Sequence, residues 1–327
     1  MVVKVDRDEL AYVGIDISSE RLDVVTRSKQ ESQGQMQYAN SVAGRRKLTK
    51  ELAKANPRLV VFEPTGGYER EVAKALCEAG LRCAQVNPKL TCNFSKSWRS
   101  NTPKTDAADA AMLAHYAETY DHKIKEYKLP SEVQRALQAN SARFAQVQAD
   151  QVADKVRLAT AHESVLKSLR TSIRFHEKQL KALKAEIDAL LKQDATLNER
   201  AKLLETCVGV GKHTAAMLLA NLPEIGELDR KQIASLAGLA PIKQNSGNKE
   251  KPAHIGGGRA LVRKILYMAA FSAIRHNPIM AKAHADLMAR GKLFKVAITA
   301  VMRKLLVALN AMIKHNLPWQ DRSTKPA

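Results

Sequence analysis

The sequence predicts an α/β domain followed by a helical arm and an all-α domain. Three observations predict it. Short apolar strands alternate with turn residues and amphipathic helices over the first 128 residues. No Pro or Gly interrupts the 78 residues between Pro130 and Gly209, where leucine and isoleucine recur at three- and four-residue steps. From about residue 201 the chain is helical and basic, with a glycine-rich polar loop at 241–258 near its centre. A length of 327 residues suits two or three domains, placed here at 1–128, 129–200 and 201–327.

The first domain begins with an apolar strand interrupted by one acid, Tyr12 to Ile17. Ser18 to Arg21 is a turn, and Leu22 to Thr26 is a second strand at hairpin distance. Gln35 to Asn40 supplies a third. Ala43 to Ala55 reads as an amphipathic helix closed by Asn56-Pro57. Leu59 to Phe62 is a short buried strand, Tyr68 to Ala79 a helix, Leu81 to Val86 a strand ended by Asn87-Pro88, and Pro103 to Thr119 a helix. A hairpin meander followed by a parallel crossover half is the RNase H-like order.

In the arm, Leu166, Leu169, Ile173, Leu180, Leu183, Ile187 and Leu190/Leu191 form the apolar stripe. Two readings stand equally: an oligomerisation arm of coiled-coil type, or an intramolecular helical pair.

Composition narrows the function. Lysine and arginine number 53 against 33 acids, a net charge of +20, so a polyanion is the expected partner. Residues 209–327 carry 19 basic and 6 acidic residues, which puts most of the phosphate-facing charge there. No run of 18 apolar residues exists, so no membrane span is expected. Four cysteines without a CxxC or Cys/His cluster suggest neither a zinc site nor disulfides, and a reducing, cytoplasmic setting is the expectation.

Four acids stand out. Asp16 lies within an apolar strand, where a carboxylate is costly unless paired or bound to a cation. Glu63 ends another apolar strand, and ligands gather at the carboxyl ends of strands in open α/β sheets. Asp106 and Asp109, three apart, face one side at the start of a helix. If the first and fourth strands are neighbours, the four converge. Mutually repelling carboxylates call for hard cations, Mg²⁺ or Mn²⁺. Two such ions about 4 Å apart clamp the attacking and leaving oxygens of a phosphodiester. Singly, each acid has an ordinary structural use; Asp106 and Asp109 would each gain roughly 0.3–1 kcal/mol from a helix N-terminus.

GIDIS with Asp16, FEPTGGY with Glu63 and KTDAADA with Asp106 and Asp109 resemble the acidic set of DEDD insertion-sequence transposases, whose relatives include Piv-type DNA invertases. LAGLAPIKQNSG followed by GGGRALVRKILYMAA resembles their C-terminal transposase domain. The resemblance implies a RuvC-like nuclease domain, Mg²⁺-dependent recombination of double-stranded DNA at element ends and target, and a homo-oligomer holding two ends. It further implies a serine nucleophile, here Ser246, and for some members a structured guide RNA encoded by the element. Nothing local to Ser246 supplies a base, so a metal on the carboxylates would have to assist it.

Cys207 to Ala215, with Gly209, Gly211 and Lys212, reads as a helix-hairpin-helix whose glycines let backbone N–H groups approach phosphate; the other reading is a packing corner. Lys249 and Lys251 in the lysine-rich loop, and Arg259, Arg263 and Lys264 after three glycines, are further candidate nucleic-acid contacts. Two competing functions remain: a junction-resolvase-type hydrolytic nuclease using only the four carboxylates, and a non-catalytic nucleic-acid scaffold.

Overall fold

The computed structural model describes residues 11–28, 34–98, 105–242 and 254–320. The chain divides into two compact units, Met1–Pro130 and Ser131–Ala327.

The first unit is built on a five-stranded sheet of order β3-β2-β1-β4-β5. The strands are β1 (Tyr12–Ile17), β2 (Arg21–Arg27), β3 (Gly34–Ala39), β4 (Leu59–Phe62) and β5 (Cys83–Gln85). β1, β2 and β3 form an antiparallel meander, while β4 joins β1 in parallel and β5 joins β4 in parallel. Every residue of β4 is buried, as expected of a central parallel strand covered on both faces. Helices α1 (Val42–Ala55) and α2 (Glu69–Glu78) cover one face, where Leu48, Leu52, Val72 and Leu76 meet Val13, Ile15, Val60 and Phe62. On the other face lies α4 (Asp106–Tyr120), whose Met112, Leu113 and Tyr116 meet Leu59, Val61 and Ala84.

Two elements differ from the sequence expectation. Pro88 ends β5 but also opens a further helix, α3 (Pro88–Trp98), because a proline at the first helical position forfeits no hydrogen bond. The helix expected from Pro103 starts at Asp106, where the Thr105 hydroxyl caps it by accepting from the Ala108 N–H at 3.2 Å.

The second unit is helical. α5 (Glu132–Leu158) and α6 (Glu163–Gln193) pack together as an antiparallel hairpin, with cross-links stepping in opposite directions: Gln151 to Glu177 at 3.3 Å, and Ser172 to Asp154 at 2.6 Å. The apolar stripe faces this seam at Ile173, Ile187 and Leu191, all buried. The Pro- and Gly-free stretch is therefore not one helix. It turns at 159–162 and breaks at Asp194, whose carboxylate caps α7 (Ala195–Glu205) by accepting from Leu197 N–H. α8 (Lys212–Asn221), α9 (Arg230–Leu236), α10 (Ala260–His276), α11 (Pro278–Ala289) and α12 (Phe294–His315) complete the unit. α12 is long and apolar enough to cross a membrane by length and composition, but Val301, Leu305, Leu306 and Leu309 are buried in the helical core.

Candidate active site: a carboxylate row across the sheet

Strand pairing lines up polar residues at one level of the sheet. Ile15 of β1 pairs with Phe62 of β4 in parallel register, so Asp16 and Glu63, the next residue on each, stand side by side on one face. Across the hairpin, Asp16 pairs with Asp23, and Asp23 pairs in turn with Gln37. Val13, Ile15 and Ile17 supply the core beneath α1 and α2, so Asp16 projects to the opposite face, toward α4. The order across the sheet is Gln37, Asp23, Asp16, Glu63.

Above this row sits the first turn of α4, with Asp106 and Asp109. Gly14 sets the approach. A Cβ there would run into the Ala110 carbonyl oxygen and the Ala114 nitrogen, so only glycine lets the helix lie this close to β1. The electrostatic consequence is direct. The Asp16 carboxyl is pushed up to about 6, first by burial and then by the negative charges of Asp109, Asp106 and Asp23.

Neighbouring groups hold the other acids. Arg21 pairs with Asp106 at 3.1 Å, both side chains about half exposed at 55%. The hydroxyl of Thr91, a buried residue on the otherwise largely exposed α3, donates to Glu63. The Pro-Thr-Gly-Gly turn after Glu63 is built around Glu69, whose carboxylate accepts from Thr65 N–H at 3.0 Å and Gly67 N–H at 2.8 Å. Burial acts to raise Glu69, but these backbone donors outweigh it and hold it below the usual range. Gly66 and Gly67 take φ values of +77° and +121°, which favour glycine.

Among the described residues, no three acidic, His or Cys side chains close into a metal-ligating cluster. The donor set nonetheless fits a hard divalent cation in its chemistry: oxygen ligands only, with like charges that already disfavour ionisation of Asp16. Asp16, Glu63, Asp106 and Asp109 are thus brought to one face of one sheet. Asp23, Gln37, Thr91 and Glu69 are residues the sequence reading did not single out. The signal that could have found Asp23 is the turn at 18–21, which sets Ile17 against Leu22 and hence Asp16 against Asp23.

The candidate nucleic-acid residues of the second unit have partners of their own. Lys212 pairs with Asp188 at 2.8 Å. Arg259 makes a bidentate pair with Glu224, 2.6 Å on each arm, and Arg263 donates to the Gly257 and Ala237 carbonyls. Lys264 is exposed. Gly209, at φ +102°, packs against Ala273, where a Cβ would collide with the α10 backbone; nothing stands within 4 Å of a Cβ at Gly211, which begins α8. Ile242 and His254 exchange backbone hydrogen bonds of 2.8 and 3.2 Å. Ser246, Lys249 and Lys251 lie outside the described residues.

Comparison with known proteins matches the same two regions. A DEDD transposase model of the IS110 type, described as a transposase, matches residues 13–169, and the "Transposase IS116/IS110/IS902 family" matches residues 201–285. The chain belongs to the IS110 family of transposases. Relatives of this transposase include the pilin gene-inverting protein of Moraxella bovis, 28% identical over 95% of this chain and 98% of the relative. The pilin gene-inverting protein of Moraxella lacunata is also 28% identical over the same shares. An uncharacterized 43.6 kDa protein of insertion element IS110 in Streptomyces coelicolor is 29% identical over 48% of this chain and 38% of its own length. The IS110-family transposase is accordingly an enzyme acting on DNA.

Proposed function

We propose that this transposase breaks and rejoins double-stranded DNA at the ends of a mobile element or an invertible segment, using an RNase H-like carboxylate centre and a serine nucleophile. The observation that carries the reading is the row Asp23, Asp16, Glu63 lying beneath Asp109 and Asp106 on the α4 face. Asp16, Glu63, Asp106 and Asp109 are the residues that would hold Mg²⁺ or Mn²⁺, which when bound supplies neutralisation of charge on the phosphate oxygens. Arg21 must then release Asp106, and Thr91 steadies Glu63.

In the reaction, the Ser246 hydroxyl gives up its proton and attacks phosphorus. One Oγ–P bond forms, one P–O bond of the DNA backbone breaks, and the departing deoxyribose oxygen takes a proton. A strand hydroxyl then reverses the exchange, so one phosphodiester is conserved and no nucleotide cofactor is consumed. The exposed Lys264, Gly211 at the start of α8, and the basic loop with Lys249 and Lys251 extend the contact to phosphates, joined by Gly209, Lys212, Arg259 and Arg263 where these carry DNA-facing segments. Apolar side chains exposed on the α5/α6 hairpin, Val152, Val156 and Phe175, support a second copy as partner, and the structured guide RNA of some family members is a further partner in this reading.

The test is adduct trapping on a suicide DNA substrate. Ser246→Ala should abolish the covalent protein–DNA species while DNA binding persists, and Asp16→Asn should abolish strand breakage. Strand breakage by Ser246→Ala at the wild-type rate would assign hydrolysis to the carboxylates alone.

A further inference from the structure

Next to the carboxylate row, α3 and the end of α4 enclose a cleft of about 580 Å³ that the chemistry above does not use. Its wall is aromatic. Phe94, Tyr116 and Tyr120 pack edge to face, with Phe94 5.5 Å from Tyr116 and 5.8 Å from Tyr120 between ring centroids. Tyr116 is buried as the floor, whereas Phe94 and Tyr120 are partly open. In a chain with only 5% aromatic residues, this is a local concentration of rings.

The rim is basic and polar. Lys123 stands 5.6 Å over the Tyr120 ring, Lys125 lies beside it, and Asn87 and Asn93 bring amide groups. Among the described residues, no carboxylate lines this cleft. A larger cleft of about 810 Å³ beside Tyr12 is different, because its arginines are already spent: Arg58 and Arg82 bind Asp121 at 2.7 and 2.8 Å. The first cleft therefore offers flat apolar faces, hydrogen-bonding edges and lysine ammonium groups together. That combination matches a nucleobase with its adjoining phosphates, whereas an apolar peptide would use the rings and leave the lysines idle.

We propose that this cleft takes one unstacked nucleobase from the nucleic acid on which the enzyme works, gripped by Tyr120 and Phe94 with Lys123 and Lys125 on the backbone. Its place in the fold gives it a use. Thr91, bonded to Glu63, lies in α3 between Leu90 and Phe94 of the cleft wall, so one helix links a held base to the carboxylate row. A base drawn out of its stack fixes the strand's register relative to the reacting phosphate. The inference rests on the family's action on DNA, not on the metal or serine assignments.

The experiment is fluorescence anisotropy of the full chain with labelled single-stranded DNA, single-stranded RNA and duplex DNA, each also prepared with abasic sites. Tyr120→Ala should weaken single-strand binding about tenfold, the scale of one lost base–aromatic stack, and Tyr120→Phe should restore it. Duplex affinity should fall less, because unpairing and unstacking a base offset part of what the ring contributes. The DNA and RNA arms identify which strand supplies the base. Lys123→Gln, an exposed substitution that spares the fold, should lower the salt slope for single strands by about 0.7. Every arm is run without divalent cation, so the binding read here is separable from the carboxylate reading. Equal binding of abasic and intact strands overturns the proposal. So does equal weakening of duplex and single strands by Tyr120→Ala. A loss of self-association without change in oligonucleotide affinity overturns it in favour of a second copy as occupant.

Discussion

Asp16 and Asp23 face one another as a directly opposed antiparallel pair, two acids at neighbouring positions on the α4 side of the sheet. Such a pair is destabilising in itself, since like charges on opposed strand positions repel. Gln37 relieves part of it by donating to Asp23 at 2.9 Å, while Asp16 is left with Asp109 and Asp106 as its other charged neighbours.

The stability of the metal-free chain should therefore depend on pH through Asp16. Its folded value of about 6 lies above the ordinary 3.8, so the folded state binds more protons than the unfolded chain between these values. The corresponding stabilisation is complete below pH 3.8 and is lost as pH rises through 6. Asp16→Asn should melt at a higher temperature than wild type above pH 6, with the gap closing toward pH 4. Calorimetry across that range checks it, and parallel profiles for the two proteins would contradict the placement of the charges.

Gly14→Ala tests the seat of α4. The added methyl runs into the Ala110 and Ala114 backbone and the Leu113 Cβ, none of which can swing aside, so the helix must move away from β1. We expect a cost of about 1–3 kcal/mol in urea unfolding, as for overpacked cores, together with loss of strand breakage. A fully active, equally stable variant would mean that α4 sits elsewhere.

Glu69→Gln tests the turn that presents Glu63. Both backbone donors share one Glu69 oxygen, so a Gln amide oxygen can still accept from them, but Thr65 and Gly67 lose the charge of their common partner. Hydrogen bonds to a charged group are worth about 1.5–3 kcal/mol, and a stability loss of that order is expected, with reduced activity and retained DNA binding.

Arg259 and Lys264 should behave differently although both are basic and near the same glycines. Arg259→Ala leaves Glu224 without its bidentate partner and should lower the melting temperature. Lys264→Ala should leave melting unchanged and reduce the salt slope of duplex binding by about 0.9. Salt titrations and melts on both variants distinguish the roles.

What was legible in the sequence follows from the physics of each signal. The meander and the acid-bearing strands could be read because burial imposes alternation or continuous apolar runs on short segments. Asp23 escaped notice because it sits in a strand that otherwise reads as apolar, and its meaning comes only from the residue opposite. α3 was missed because a proline is both a good end for a strand and a good first residue for a helix. The break before α7 carries no Gly or Pro and depends on one capping carboxylate, Asp194. The partners of Lys212 and Arg259, Asp188 and Glu224, are 24 and 35 residues away in sequence, a separation that composition and local pattern do not encode.

The most direct test of the carboxylate centre is anomalous diffraction from crystals of the transposase grown with Mn²⁺. The account predicts manganese peaks between the Asp16 and Glu63 side chains, with Asp109 or Asp106 completing the oxygen ligands and Arg21 displaced. Manganese bound only at other acids, with Arg21 still on Asp106 and the Asp16–Glu63 gap empty at saturating metal, would contradict it.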